Sequence, residues 1–311
     1  IIIGAGMSGL AAGIRLAHFG QKVCIVEKHY RAGGLNSYYY RNGIEIDTGL
    51  HAMTNFSTKS GSKNLPLQKL IRQLRIPYEE LEIREQKHSI ISFPESTLCF
   101  ENGIQSLENS VAEHFPRDLK DFKNLVKYID SYDGLNMQAT YISAKEIVSG
   151  FISNPLLVEM IFCPLMFYGS AVEYDMDFAQ FVIMFKSIFM EGFCRPAIGV
   201  RKIISLLEKR FLESGGELFL KTGVNKIITT DNSAKFGELS NSSAIDAKYF
   251  ISSAGSIETF NLCDTKPANF ATLPEGQMSF TEAVFCLDSV PAKPDYSIKF
   301  FSNSANFAYC K

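Results

Sequence analysis

The chain has 311 residues, 46% hydrophobic and 21% charged, with 31 basic against 33 acidic side chains and a formal charge of −2. That length is a prior of about two domains at roughly 150 residues each, and the composition excludes a disordered, collagenous or strongly basic protein. A balance this close to neutral supplies no general pull towards nucleic acid or anionic lipid.

Seven cysteines are dispersed along the chain, at 24, 99, 163, 194, 263, 286 and 310, with no Cys-x-x-Cys. Neither a zinc cage nor a dithiol pair is signalled, and no metal site is expected. An odd number of scattered thiols fits a reducing, cytoplasmic compartment. Two formal glycosylation sequons, Asn55-Phe56-Ser57 and Asn241-Ser242-Ser243, weigh little against it. The start, Ile1-Ile2-Ile3, runs straight into Gly4 without a basic leader and reads as trimmed. Glu159, Glu173 and Lys186 interrupt the best apolar stretches, so no simple spanning helix is expected; peripheral membrane contact stays open.

The first element is a short apolar strand ending in Gly4-Ala5-Gly6-Met7-Ser8-Gly9. A small-residue helix follows from Leu10 and stops at Gly20, and a second strand, Lys22-Val23-Cys24-Ile25-Val26, ends on Glu27. Strand, glycine turn, helix, strand and acid are the parts of a dinucleotide site in register. Gly4 makes the tight turn, Gly6 lets backbone approach a pyrophosphate, and Gly9 lets helix and strand pack closely. The pyrophosphate, beside Met7 and Ser8, rests on a helix N-terminus that favours negative charge. Glu27, followed by Lys28, is placed to accept from ribose hydroxyls. These parts predict an ADP-ribose ligand and leave FAD and NAD unseparated.

Arg31-Ala32-Gly33-Gly34-Leu35-Asn36-Ser37 comes next, then a tyrosine run, then Ile46-Asp47-Thr48-Gly49-Leu50-His51. With these residues the chain resembles the FAD-dependent oxidoreductases of amine-oxidase type, within them the phytoene desaturase, carotenoid isomerase and retinol saturase branch. The second glycine pair stands in that superfamily's R-x-G-G context along the FAD, and residues 46–51 stand where the branch has an F-D-x-G-x-H-like segment. The resemblance implies FAD, with Gly33, Gly34 and Leu35 beside it. His51 has two readings, a hydrogen-bonded turn residue near Asp47 or a neighbour of the flavin ring.

Downstream, Pro66 to Leu74 reads as a short amphipathic helix, and residues 80–101 as strands about a hairpin at Pro94-Glu95-Ser96. Helices are expected at 104–114, 117–131, 155–165 and 178–190. The last aligns Phe178, Phe181, Val182, Phe185 and Phe189 on one face. A packed core and a lipophilic tunnel share that spacing; Phe181 and Phe185 are taken as core and Phe189 as the tunnel candidate.

After Arg195-Pro196-Ala197-Ile198-Gly199, a helix runs to Gly215-Gly216. A strand from Glu217 to Leu220 continues into, or pairs with, Gly223 to Ile227; a polar loop (231–243) precedes Tyr249 to Gly255. In the resembled family a P-x-G-G-like turn opens such a helix, and a later Val, here Val224, presents backbone to the adenine. Ile198 stands in place of the first paired glycine. Ala254 and Gly255 close the expected cofactor set.

The expected fold is thus α/β: a Rossmann-like FAD-binding domain with a parallel sheet at 1–62 and 195–265, plus a mixed α+β substrate domain at 63–194 and 266–311. Family members run longer and carry another glycine-rich stretch over the flavin, so the chain is expected to be a fragment or to have its site completed elsewhere. The implied activity is hydride transfer between a polyene or isoprenoid-like substrate and flavin N5. Two alternatives stand beside it. One is a flavin amine oxidase; the other is a prenyl-protein binder of Rab GDP-dissociation-inhibitor type without flavin, which has no use for Glu27 paired with Arg31-x-Gly33-Gly34.

Overall fold

A computed structural model describes residues 1–56, 65–136, 138–170, 172–231, 233–273, 281–289 and 295–307. Ser57 of the first sequon, Cys310 and the domain boundary expected at 62 lie outside the described residues. The chain divides into two compact units: 1–53, 57–84 and 195–275 form the first; 54–56, 85–194 and 276–311 form the second. The amphipathic helix Pro66–Gln73, expected on the substrate side, falls in the first unit. The physical ties are visible: Arg15 donates to the Gln73 carbonyl at 3.1 Å and Arg210 to that of Leu74 at 3.3 Å.

The first unit is built on a parallel sheet of four short strands, in the order Ile251–Ser252, Ile2–Ile3, Cys24–Val26, Glu217–Phe219. Such a sheet is apolar because both faces are covered, and Ile2, Ile3, Ile25 and Val26 are buried. The opening helix (Met7–His18) packs close to the helix Val200–Glu213 because Gly13 carries no side chain; a Cβ there would stand 2.7 Å from the Phe211 ring.

The strand Val224–Thr230 does not continue or pair with Glu217–Phe219. It joins Ser233–Leu239 and Ala244–Asp246 in a separate antiparallel sheet. The region expected as a polar loop is therefore largely strand. Its polar residues face outward, while Ile227 and Leu239 pack with Ile3 and Val26 of the parallel sheet.

In the second unit, Ser89–Phe93 and Ser96–Phe100 form the expected hairpin, and Ile298–Phe301 adds a parallel strand. The helices are Ile104–His114, Leu119–Ser131, Ala144–Phe151, Pro155–Met166 and Phe178–Phe185, the last running on as a π-helical stretch, Lys186–Glu191. Ala144–Phe151 was not expected. It is short, and its N-terminus is fixed by the Ser143 side chain accepting from the Glu146 N–H.

Phe189 belongs to this unit's core rather than to a tunnel wall. It is 0% exposed, with the Phe185 ring 5.0 Å and the Phe100 ring 5.1 Å away, both edge-on. Phe181 and Phe185 are buried in the same chain of rings. Edge-to-face packing at this separation satisfies the aromatic quadrupoles without a ligand.

Candidate functional site: a glycine-lined cradle at the strand ends

Every strand of the parallel sheet delivers its carboxyl end to one region, which in open α/β sheets is where ligands bind. Ile3 leads to Gly4, Val26 to Glu27, Ser252 to Ser253 and Phe219 to Leu220. The Gly4 N–H donates to the Val26 carbonyl and the Glu27 N–H to that of Phe219, both at 2.9 Å.

The three glycines of the first turn have different reasons to be glycine. Gly4 has φ +99°, and a Cβ there would stand 2.7 Å from the Ser253 hydroxyl. At Gly9 it would stand 2.1 Å from the Gly4 carbonyl oxygen. Both are dictated by the protein's own atoms. Gly6 is not: its backbone is ordinary (φ −69°, ψ 173°), and among the described residues the nearest atom to a Cβ there, the Gly34 Cα, is 4.0 Å away. What the missing side chain leaves is access to backbone. No side chain caps the helix that starts at Met7, and no acid stands in its first turn. Its leading N–H groups, Met7, Ser8 and Gly9 among them, and the positive end of its dipole suit an anion.

The second glycine pair lies against the first turn. The Gly33 N–H donates to the Ala5 carbonyl at 2.8 Å, Gly6 and Gly33 form a parallel bridge, and a Cβ on Gly34 would reach the Gly6 Cα at 3.3 Å. Leu35 follows at 92% exposure, an apolar side chain with little protein around it.

Glu27 is 8% exposed and fixed at both oxygens: Oε2 accepts from the Ala5 N–H and Oε1 from the His29 N–H, each at 2.8 Å. The carboxylate thus holds the glycine turn and the strand end together and keeps further lone pairs for hydroxyl donors. Lys28 lies alongside Gly223, where a Cβ would stand 3.0 Å from the Lys28 Cβ. Thr222 donates its N–H to the Glu27 carbonyl at 2.7 Å, which brings Val224 to the same sheet end.

Ala254 and Gly255 follow Ser253, a residue the sequence reading missed. Ser253 Oγ bonds the carbonyls of Ile3 and Gly4 at 3.2 Å, underneath the glycine turn. A lone serine on the final strand gives no signal until the strands are ordered.

Arg31 stands apart from the other predicted residues in its contacts. Its guanidinium lies 4.5–4.9 Å from the ring centres of Tyr38, Tyr40 and Tyr30 and donates to the Tyr38 carbonyl at 3.1 Å. The hydroxyl of Tyr40 donates to Glu45, and that bond, ahead of burial, raises the tyrosine's pKa. Tyr30 and the hairpin residues Tyr38 and Tyr40 (hairpin Tyr38–Arg41/Ile44–Asp47) therefore form a cation–π cage around Arg31.

His51 is exposed, two residues past Gly49. Gly49 has φ +80°, and a Cβ there would meet the Leu35 carbonyl oxygen at 2.5 Å. The stretch before His51 is held by Asp47: Oδ1 accepts from Arg201 Nη1 at 2.6 Å, and Oδ2 accepts from the Val200 N–H at 3.3 Å and faces Arg195 at 3.5 Å. No cluster of His, Cys, Asp or Glu suited to a metal occurs among the described residues.

Comparison with known proteins bears on the opening domain and the fold. Residues 2–74 match the family described as NAD(P)-binding Rossmann-like domain. A chloroplastic prolycopene isomerase from Daucus carota is 27% identical over 298 residues, covering 84% of this chain and 46% of its own length. The chain thus spans about half the length of that curated relative. An oxidoreductase from Methanosarcina mazei superposes with a TM-score of 0.66 at 17% identity, over 87% of this chain and 62% of that one. A redesigned putrescine oxidase does so at 0.58 and 16%, over 87% and 61%. Residues 2–74 are thus similar to an NAD(P)-binding Rossmann-like domain, and the chain shares its fold with the Methanosarcina mazei oxidoreductase and with putrescine oxidase.

Proposed function

We propose that this chain is the dinucleotide-binding part of an FAD-dependent oxidoreductase acting on a lipophilic, polyene or isoprenoid-like substrate. The observation that carries the reading is Gly6, a glycine that no atom of the described residues requires, at an uncapped helix N-terminus between Glu27 and Gly34. In this reading the N–H groups of residues 6–9 hold the diphosphate, Glu27 accepts from the adenosine ribose, and Val224 presents backbone to the adenine. Gly33, Gly34 and Leu35 lie along the extended cofactor, with Ala254 and Gly255 beside Gly4. Arg31, caged by tyrosines, holds the second glycine turn in place instead of meeting the diphosphate itself. Bound FAD would supply hydride exchange with a carbon framework.

The substrate class rests on the sequence likeness to a prolycopene isomerase. Amine-oxidase-type neighbours support the fold alone. The test is spectroscopic first: the purified protein should be yellow, with a flavin absorbance that denaturation releases as FAD. Incubation with carotenoid and retinoid extracts should then change the flavin spectrum. A colourless protein that binds a prenylated peptide would replace this reading with the flavin-free one; flavin reduction by amines alone would replace the substrate class.

A further inference from the structure

Arg31 carries a charge that no acid answers directly. Among the described residues no carboxylate pairs with it; the rings of Tyr30, Tyr38 and Tyr40 and the Tyr38 carbonyl hold its guanidinium. An unrestrained guanidinium beside a backbone cradle suited to an anion would be drawn onto that anion, because its forked donors match phosphate oxygens. Whatever orients the rings therefore decides where Arg31 stands.

One of the rings is itself anchored. The Tyr40 hydroxyl donates to Glu45 Oε1, and Glu45 Oε2 faces Arg201 Nε at 3.1 Å. Arg201 is held in turn by Asp47, with Nη1 2.6 Å from Oδ1. Glu45 stands directly across from Tyr40 in the hairpin, so the two side chains share a face. A phenol that donates to a carboxylate keeps more electron density in its ring, and a richer π face holds a cation more strongly. Glu45 thus acts on Arg31 at one remove.

The second glycine turn lies at the other end of these contacts. Arg31 stands two residues ahead of Gly33, whose N–H donates to the Ala5 carbonyl at 2.8 Å, while Gly34 lies against Gly6. Two glycines have no side chains with which to fix their own place, so the turn takes its position from its flanks. One flank is Arg31. The other is Ser37, whose carbonyl accepts from the Thr48 N–H at 2.8 Å. Both flanks lead to the same hairpin.

We propose that Glu45 is a positioning residue for the cofactor: through Tyr40 and Arg31 it sets where the backbone of Gly33 and Gly34 lies, without meeting the cofactor itself. This rests on the FAD reading of the cradle and adds to it a residue that the glycine motifs do not contain. Ion pairs at a surface contribute little to stability, and Tyr40 is 53% exposed. The effect of Glu45 belongs to binding.

The test uses the full chain and three variants: Glu45→Gln, Tyr40→Phe and both together. Tyr40→Phe keeps the ring over Arg31 and removes only the hydroxyl. Each single change should weaken FAD binding about tenfold, and the two together about tenfold rather than a hundredfold, because they break one chain of contacts. Melting temperatures of the flavin-free proteins should stay together, as for other exposed substitutions. A second readout needs no flavin: amide hydrogen exchange at Gly33 should quicken in every variant, and exchange in the strand Cys24–Val26 should not. Unchanged FAD affinity, fully additive losses or a Gly33 exchange rate equal to the parent's would overturn the proposal. So would a matching fall in melting temperature, which marks a structural role alone. A parent chain that takes up no FAD would instead overturn the flavin reading, and the exchange rates would still decide whether Glu45 sets the turn.

Discussion

Asp47 holds Arg201 across 154 residues of sequence, through a 2.6 Å contact between Oδ1 and Nη1. The same carboxylate, 7% exposed, lies where a side chain on Gly199 would sit: a Cβ there would stand 1.6 Å from Oδ2. Two segments singled out separately in the sequence, the D-x-G-x-H-like stretch and the P-x-G-G-like turn, are halves of one joint. Asp47→Ala would leave the Val200 N–H without its acceptor and would strip Arg201 of one of its two carboxylates, leaving Glu45 at 3.1 Å from Nε. It should destabilise the protein by about 2–3 kcal/mol, read by urea denaturation.

The two inner glycines of the turn should part company. Gly6→Ala meets no atom of the described residues closer than 4.0 Å, so stability should change by less than about 1 kcal/mol. FAD affinity should nevertheless fall about tenfold or more. Gly9→Ala drives a Cβ into the Gly4 carbonyl at 2.1 Å and should cost about 3 kcal/mol or more. Thermal melts beside flavin titrations separate the two; a Gly6→Ala protein that keeps full FAD affinity would sink the cradle.

Glu27 ties the glycine turn to the strand end and, in the proposed site, also faces the ribose. Glu27→Gln retains one oxygen acceptor and loses the charge, so the protein should fold and bind FAD more weakly, by about 1.5–3 kcal/mol. Unchanged affinity by titration would remove Glu27 from the ribose site.

Phe189→Ala should cost about 3–5 kcal/mol in a melt, because the side chain fills space between two rings. A protein with unchanged stability and altered substrate preference would restore the tunnel assignment.

Burial raises the pKa of Glu191, whose Oε2 is buried without a hydrogen-bond partner among the described residues. A raised folded-state pKa means that protonated Glu191 costs nothing below the ordinary carboxyl pKa. The folded state loses stability as pH rises through the shifted value. Glu191→Gln should therefore match the parent near pH 4 and exceed it at pH 7.5. Equal stability at both values would contradict the burial effect.

The opening unit was legible because its signals are local: Gly4, Gly6, Gly9 and Glu27 follow one another along strand, turn, helix and strand. The antiparallel sheet was not. Ser233 to Leu239 reads Ser-Ala-Lys-Phe-Gly-Glu-Leu, too polar to announce a strand until its apolar members meet Ile3 and Val26. Ser253 and the joint at Asp47 depend on contacts across most of the chain, which no window detects. The phenylalanine spacing gave the helix correctly and could not assign its face, because core and tunnel share a period.

The order of strands in the parallel sheet has a consequence for how the chain is made. Ile2–Ile3 finds Cys24–Val26 at once, but its other neighbour is Ile251–Ser252. At about 5–20 residues per second, roughly 12–50 seconds of translation separate the two. Throughout that interval the first strand carries an open edge of the kind that pairs with foreign chains. Closing so long a loop also carries an entropic cost before any contact rewards it. The cradle, whose floor includes Ser253, therefore cannot be complete on the ribosome until nearly the whole described chain has emerged. Loading of the cofactor proposed for this cradle would then be a late event in the life of the protein.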